Sequence, residues 1–181
     1  MTSSLTASCR DELARWSPPA GRQSLLRTEF LALAERSEQP WSRETLPGHL
    51  TASAMVCTAD ARQVLLVLHA KVGRWLQTGG HAEPDDPSLP AAALREATEE
   101  SGLTGLRLLP GIADVSVHPA PCGADLHHDV RYVVVAEEAS PPVCSAESTD
   151  VRWFDVTDLP SDLEPEVAEL ITVAVGRLRQ Q

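Results

Sequence analysis

The stretch from Gly79 to Leu103, GGHAEPDDPSLPAAALREATEESGL, most constrains the fold, because it dictates a turn, a loop, a helix and a stop in immediate succession. The Gly79-Gly80 pair permits a tight reversal and a close approach of backbone to a ligand. The segment Pro84 to Pro90 reads as a loop. Ala91 to Ser101 has helical spacing, and Gly102 ends it. Within that helix Glu96, Glu99 and Glu100 occupy an arc of about 100°. Ala91, Leu94, Ala97, Thr98 and Ser101 lie opposite, small residues suited to close packing on a sheet. Three like charges on one face repel, and packing does not explain them. A solvated helix face is one reading. The other is a divalent cation, because hard carboxylate oxygens suit magnesium or manganese, which in turn grip phosphate oxygens. Arg95, beside Glu96 and one turn before Glu99, is placed to hold a carboxylate.

The elements around this helix set its context. Leu5, Cys9, Leu13 and Trp16 recur at helical spacing before the Ser17-Pro18-Pro19 break. A second amphipathic helix runs from about Arg22 to Arg36 with Leu26, Phe30 and Leu33 on one side. Residues 38–48, with Pro40 and Pro47, read as a linker. Residues 1–46 are therefore expected to be a helical extension and 47–181 the main domain. Thr51–Cys57 and Val64–His69 should form a hairpin around Thr58-Ala59-Asp60-Ala61-Arg62, followed by a short strand from Lys71 to Gln77. Further strands are expected at 106–118 (broken near Pro110-Gly111), 127–137 and 151–156, and a closing helix at about 164–179. Strands surrounding one internal helix and closed by another imply an α/β sandwich.

Composition narrows the function class. The 181 residues suit one domain with an added terminal element, and a hydrophobic content of 43% can fill a core that 4% aromatics leave mostly aliphatic. A net charge of −11 opposes nonspecific binding to nucleic acid or to an anionic membrane. It does not oppose a small phosphorylated substrate, because bound metal inverts the local field. The four cysteines, Cys9, Cys57, Cys122 and Cys144, are scattered, which argues against a disulfide framework or zinc knuckle and for reduced thiols in a cytoplasm. No apolar run is long enough to cross a bilayer, and the N-terminus lacks the apolar core of a signal peptide.

The glycine turn and the acidic helix together resemble the signature of the Nudix hydrolases, G-x5-E-x7-R-E-U-x-E-E-x-G-U, where U is aliphatic. Gly80 opens the match, and Arg95, Glu96, Glu99, Glu100, Gly102 and Leu103 complete its second half. Two features depart from the pattern. Asp86 stands where the first Glu is expected, and eight residues rather than seven separate it from Arg95, an insertion the loop can absorb. Ala97 fills the aliphatic position. The resemblance implies an α/β/α sandwich with a mixed sheet, and cleavage of a diphosphate linkage in a nucleoside diphosphate joined to another group. It also implies Glu99 and Glu100 as ligands of Mg²⁺ (or Mn²⁺), and Glu96 as a further ligand or the residue orienting the attacking water. Arg95 becomes the structural partner of these carboxylates, and the carbonyl of Gly79 or Gly80 completes the coordination. In this family the general base often lies on a later loop. Glu147 is the candidate, with Glu137 and Glu138 competing.

His127-His128-Asp129-Val130-Arg131-Tyr132 is the second unusual stretch. As a strand it places His127, Asp129 and Arg131 on one face, which is costly to bury without partners. One reading is a substrate wall in which Arg131 or a histidine contacts phosphate. Another is an internal Arg131–Asp129 pair. His118 can join this group across the sheet, and His81 follows the glycine turn. Zinc binding by these histidines lacks the usual ordered spacing. Trp75 is placed to stack on a base or to pack.

Three functions compete. The leading one is a metal-dependent hydrolase of a small phosphorylated substrate of nucleotide type. The second resembles isopentenyl-diphosphate isomerases, but residues 75–80 lack the cysteine expected there. The third is a catalytically silent nucleotide-binding module, which the intact Glu cluster opposes. The leaving group is read by loops outside the signature and stays open. So does the role of the N-terminal helices as dimer interface, cap or brace.

Overall fold

The computed structural model describes residues 3–120 and 122–181. Its architecture follows from alternation in one strand, β1 (Gly48–Thr58). Leu50, Ala52, Ala54 and Val56 point to one face and join the larger core cluster. Met55 and Cys57 point to the other and join the smaller one. His49, Thr51 and Ser53 share the second face, so that side is apolar at one end of the strand and polar at the other.

The central pairing extends this pattern. β6 (Leu126–Ala136) runs parallel to β1 in unbroken register from Gly48↔Leu126 to Thr58↔Ala136. β5 (Arg107–Pro119) lies antiparallel on the far side of β6, with an irregularity between Leu109 and Asp114 where Pro110-Gly111 was expected to interrupt it. β2 (Gln63–His69) returns from the expected hairpin and pairs with β1 only at Val56↔Leu65 and Cys57↔Val64. It then diverges to pair with β7 (Ser148–Asp155) and β3 (Trp75–Leu76). The earlier part of β1 takes β4 (Thr78–Gly80) instead, through Ala52↔Gly80 to Ala54↔Thr78. The seven-stranded mixed sheet therefore forks at β1. The gap between its branches opens over the polar end of the second face.

Helices cover both faces, giving the expected α/β/α sandwich. α1 (Ser4–Arg15), α2 (Arg22–Arg36) and α3 (Leu89–Ser101) pack on the first face, and α4 (Pro165–Leu178) covers the apolar end of the second. Leu5, Cys9, Leu13, Phe30 and Leu33 are buried in the same cluster as α3 and the sheet. At about 1.5–3 kcal/mol for each large apolar side chain buried, these contacts make the N-terminal helices part of the core. The two helices also cap one another. Arg27 donates to the carbonyls of Leu13 and Ala14, and Arg10 to those of Ala34 and Ser37, satisfying acceptors that a helix end leaves unpaired. The Gln23 amide bonds both backbone groups of Val115, covering part of the free edge of β5.

Two expectations need correction. The strand expected from Lys71 to Gln77 is reduced to Trp75–Leu76, because residues 69–74 form a tight turn. Gly73 sits at φ +68°, its amide donates to the His69 carbonyl at 2.7 Å, and the His69 ring accepts from the Lys71 amide at 3.2 Å. The face of α3 that packs on the sheet is Leu89, Ala92, Ala93, Ala97 and Ser101, while Thr98 is exposed and Ala91 and Leu94 are half-buried. With this rotation Glu100 itself turns inward, 5% exposed.

Candidate active site

α3 is fixed at both ends. Ser88 Oγ accepts the Ala91 amide at 3.2 Å as N-cap, and Gly102, left-handed at φ 65°, closes the helix with its amide on the Thr98 carbonyl. β4 lies alongside because Gly79 can. A Cβ there would sit 2.2 Å from that of Ser53, and the backbone is at φ +156°, so no other residue fits. A Cβ on Gly80 would fall 2.7 Å from the Glu96 carboxylate. The glycine pair therefore clears space for β1 on one side and for a carboxylate on the other.

The three glutamates have three different environments. Glu100 Oε2 accepts the Gly79 amide at 2.7 Å. Burial pushes its carboxyl up to about 7 despite that bond, and the charges of Glu96, Glu147 and Glu99 add to the effect. Glu96 rests against Gly80, and burial raises it too, opposed by Arg95. Glu99 has 58% of its side chain exposed and turns to Arg95 Nη1 at 3.0 Å. The carboxylates thus do not converge equally: Glu100 faces the cavity, Glu96 borders it through Gly80, and Glu99 lies on the outer side.

Arg95 is the hub of this arrangement. It takes Asp86 in a two-pronged grip, Nε to Oδ1 at 3.2 Å and Nη2 to Oδ2 at 3.0 Å, and donates to Glu96 Oε1 at 2.9 Å. Nη2 also donates to the His81 carbonyl at 3.0 Å. Asp86, buried, further accepts the Glu83 amide at 2.8 Å. Its shorter side chain ties the loop to the helix through Arg95 and is directed at that guanidinium.

The fork in the sheet holds a cavity of about 820 Å³. Its walls include Gly79, Gly80 and Glu100 on one side and Glu147 on another, with Thr51, Ser53, His127, Asp129 and Arg131 supplied by β1 and β6. Glu147 is exposed on the loop before β7 and close enough to raise both Glu96 and Glu100. Glu137 and Glu138, its competitors in the sequence, do not line the cavity. Lys71, Arg74 and Arg43 add positive charge to the wall.

The strand face His127, Asp129, Arg131 lines the cavity together, as alternation implies, but the pairing differs from the Arg131–Asp129 bridge considered above. Arg131 binds Asp114 of β5 at 2.6 and 3.1 Å, both groups buried. Asp129 instead accepts the hydroxyls of Thr51 at 3.0 Å and Ser53 at 2.6 Å. The cause is register: Asp114 sits directly across from Arg131 on the neighbouring strand, and Thr51 directly across from Asp129. His128, on the reverse face, meets Glu29 at 2.9 Å and the ring of Phe30. Trp75 does not reach the cavity. It packs edge-on against Phe154 with ring centroids 4.9 Å apart, under the Arg152 guanidinium. Of the two roles considered for it, packing is the one these contacts show.

His81 and His127 meet two residues that the sequence did not single out for this role, His49 and Cys122. His49 was missed although it continues the alternation of Thr51 and Ser53 along β1, the one signal that could have found it.

Comparison with known proteins places these features in a family context. The model of the NUDIX domain matches residues 47–173. A NUDIX-family hydrolase from Clostridium perfringens is similar in fold at 24% identity, covering 72% of this chain and 97% of that one with a TM-score of 0.59. An Ap4A hydrolase from C. elegans is similar at 17% identity, over 73% of this chain and 98% of that one, TM-score 0.59. The NUDIX domain of NrtR from Shewanella oneidensis, solved with ADP ribose, is similar at 24% identity over 71% and 87%, TM-score 0.55.

Proposed function

Since the chain belongs to the NUDIX family of pyrophosphohydrolases, we propose that it hydrolyses a diphosphate linkage in a nucleoside diphosphate derivative, with Mg²⁺ or Mn²⁺ as cofactor. The observation that carries this reading is Glu100, a buried carboxylate with a backbone amide but, among the described residues, no protein cation against it, facing a cavity that also holds Glu147. A chain gains nothing in stability from such a group, whereas a hard divalent ion repays its desolvation.

Glu96 and Glu100 would hold the ion with the carbonyl of Gly80, and Glu99 would join them from the outer side. When bound, the ion offsets phosphate charge and acidifies water. The residues of the chain perform the rest. Arg95, anchored by Asp86, keeps Glu96 and the glycine turn in position. Glu147 takes the proton of the attacking water at its carboxylate. Lys71 and Arg43 meet phosphate oxygens, since the charges of Arg131 and Arg74 are already balanced by Asp114 and Glu164. His127 and Asp129 line the floor on which the rest of the substrate lies. A cavity of about 820 Å³ accommodates a nucleotide-sized ligand. The matched structures with ADP ribose and with Ap4A hydrolase activity support this size class.

The test is a panel of ADP-ribose, dinucleoside polyphosphates and nucleoside triphosphates incubated with Mg²⁺, with products separated and weighed by mass spectrometry. A nucleoside monophosphate released from one class supports the reading. Absence of cleavage across the panel, with Mg²⁺ and with Mn²⁺, overturns it.

A further inference from the structure

We propose that His49, His81, His127 and Cys122 form a zinc site distinct from the carboxylate site. Among the described residues, these four are the group whose ligand atoms all lie within 4.8 Å of one another. Each comes from a different place: His49 from β1, His81 from the turn after β4, Cys122 from the loop between β5 and β6, and His127 from β6. The fold itself assembles them. His49 and His127 are direct partners in the parallel β1–β6 ladder, and His81 follows Gly80, which pairs with Ala52 of β1. Ordered spacing along the sequence, the usual sign of a zinc site, is absent because the sheet supplies the convergence.

Three of the ligand distances lie within about 0.4 Å of what tetrahedral zinc requires. With Zn–N near 2.05 Å and Zn–S near 2.3 Å, tetrahedral ligands stand about 3.3 Å apart for two nitrogens and about 3.6 Å for nitrogen and sulfur. His49 Nε2 and His81 Nε2 are 3.1 Å apart, and Cys122 Sγ lies 3.7 Å from His49 Nε2 and 3.2 Å from His127 Nε2. His49 also presents Nδ1 to the Thr45 carbonyl at 3.4 Å, the outer contact that leaves Nε2 free to ligate.

Donor chemistry selects the ion. Three imidazoles and a thiolate are too soft for magnesium and suit zinc, whereas the oxygens around Glu100 suit a hard ion such as magnesium. Four protein ligands leave no open position, so the site is structural in kind. It would clamp residues 122–125, whose Asp125 amide also donates to the Pro47 carbonyl at 2.8 Å, to the rim of the cavity.

The proposal stands apart from the hydrolase reading, and its test needs no turnover. Protein stripped with chelator is titrated with Co²⁺ and with Zn²⁺ alone, for wild type, Cys122→Ser, His127→Asn and the double variant Glu96→Gln/Glu100→Gln. Wild type and the double variant should each take up one Co²⁺ with intense tetrahedral ligand-field bands and a thiolate-to-cobalt charge-transfer band. One equivalent of Zn²⁺ should displace it and raise Tm. Cys122→Ser, at an exposed position and so expected to fold, should lose the charge-transfer band and at least tenfold in zinc affinity. His127→Asn should lose stoichiometric binding. Weak octahedral cobalt spectra in wild type, or wild-type zinc affinity in Cys122→Ser, would overturn the proposal.

Discussion

Replacing Glu100 with glutamine should stabilise the metal-free protein, and by an amount that depends on pH. The carboxyl is 5% exposed, and burial raises it from an ordinary 4.5 to about 7. A carboxyl whose folded value lies above its unfolded value favours folding least when ionised. Its cost is absent below the unfolded value, grows as pH rises, and is complete above the folded value. At roughly 1.4 kcal/mol for each tenfold change, the cost is about 1 kcal/mol at pH 5.5 and about 3 kcal/mol at pH 8. Glutamine removes the charge, and its amide oxygen can still accept the Gly79 amide. In chelator, Glu100→Gln should therefore exceed wild type by up to about 3 kcal/mol at pH 8 in urea unfolding, with the gap narrowing at pH 5.5. Saturating Mg²⁺ should close the gap at pH 8 by stabilising wild type alone, by about 2.7 kcal/mol at a hundred times Kd. A variant no more stable than wild type at pH 8 in chelator would refute the view of Glu100 as a buried charge held in wait for a cation.

Three further outcomes are expected. Arg131→Met should cost about 3–5 kcal/mol, because it leaves Asp114 buried without its partner, and adding Asp114→Leu should recover most of the loss in a double-mutant cycle of urea unfolding. Tyr132→Phe should raise stability by about 1 kcal/mol, since the Tyr132 hydroxyl is buried with no hydrogen-bond partner among the described residues; a thermal melt that falls instead would reveal a partner such as a buried water. Glu147→Gln should lower kcat by about 10²–10⁴ with Mn²⁺ binding unchanged, and a kcat close to wild type would transfer the role of base to another group.

Local signals were legible in the sequence wherever local physics decides the outcome. The helix expected from Ala91 to Ser101 with its Gly102 stop (it starts two residues earlier, at Leu89, with Pro90 in its first turn), the hairpin around Asp60, and the shared face of His127, Asp129 and Arg131 follow from spacing and turn chemistry. The Arg95–Glu96–Glu99 contacts follow from helical neighbours. What could not be read is whatever strand register decides. Arg131 meets Asp114 and Asp129 meets Thr51 because those residues fall opposite one another, and no periodicity within a single strand specifies its neighbour. The same holds for His49 beside His127. The fine division among the glutamates was hidden for another reason. Side-chain burial depends on the exact rotation of α3 against the sheet, and small residues on several sides of that helix allow more than one.

The cleft between Gly79-Gly80 and the inward carboxylates of α3 is the centre of the proposed reaction. Its most direct test is turnover of the best diphosphate substrate as a function of free Mg²⁺, in wild type and in Glu96→Gln/Glu100→Gln, with folding of both verified by circular dichroism. Saturable, chelator-reversible turnover in wild type that disappears in the folded variant is the predicted result. Turnover that persists in chelator, or survives both substitutions at full Mg²⁺, would contradict it.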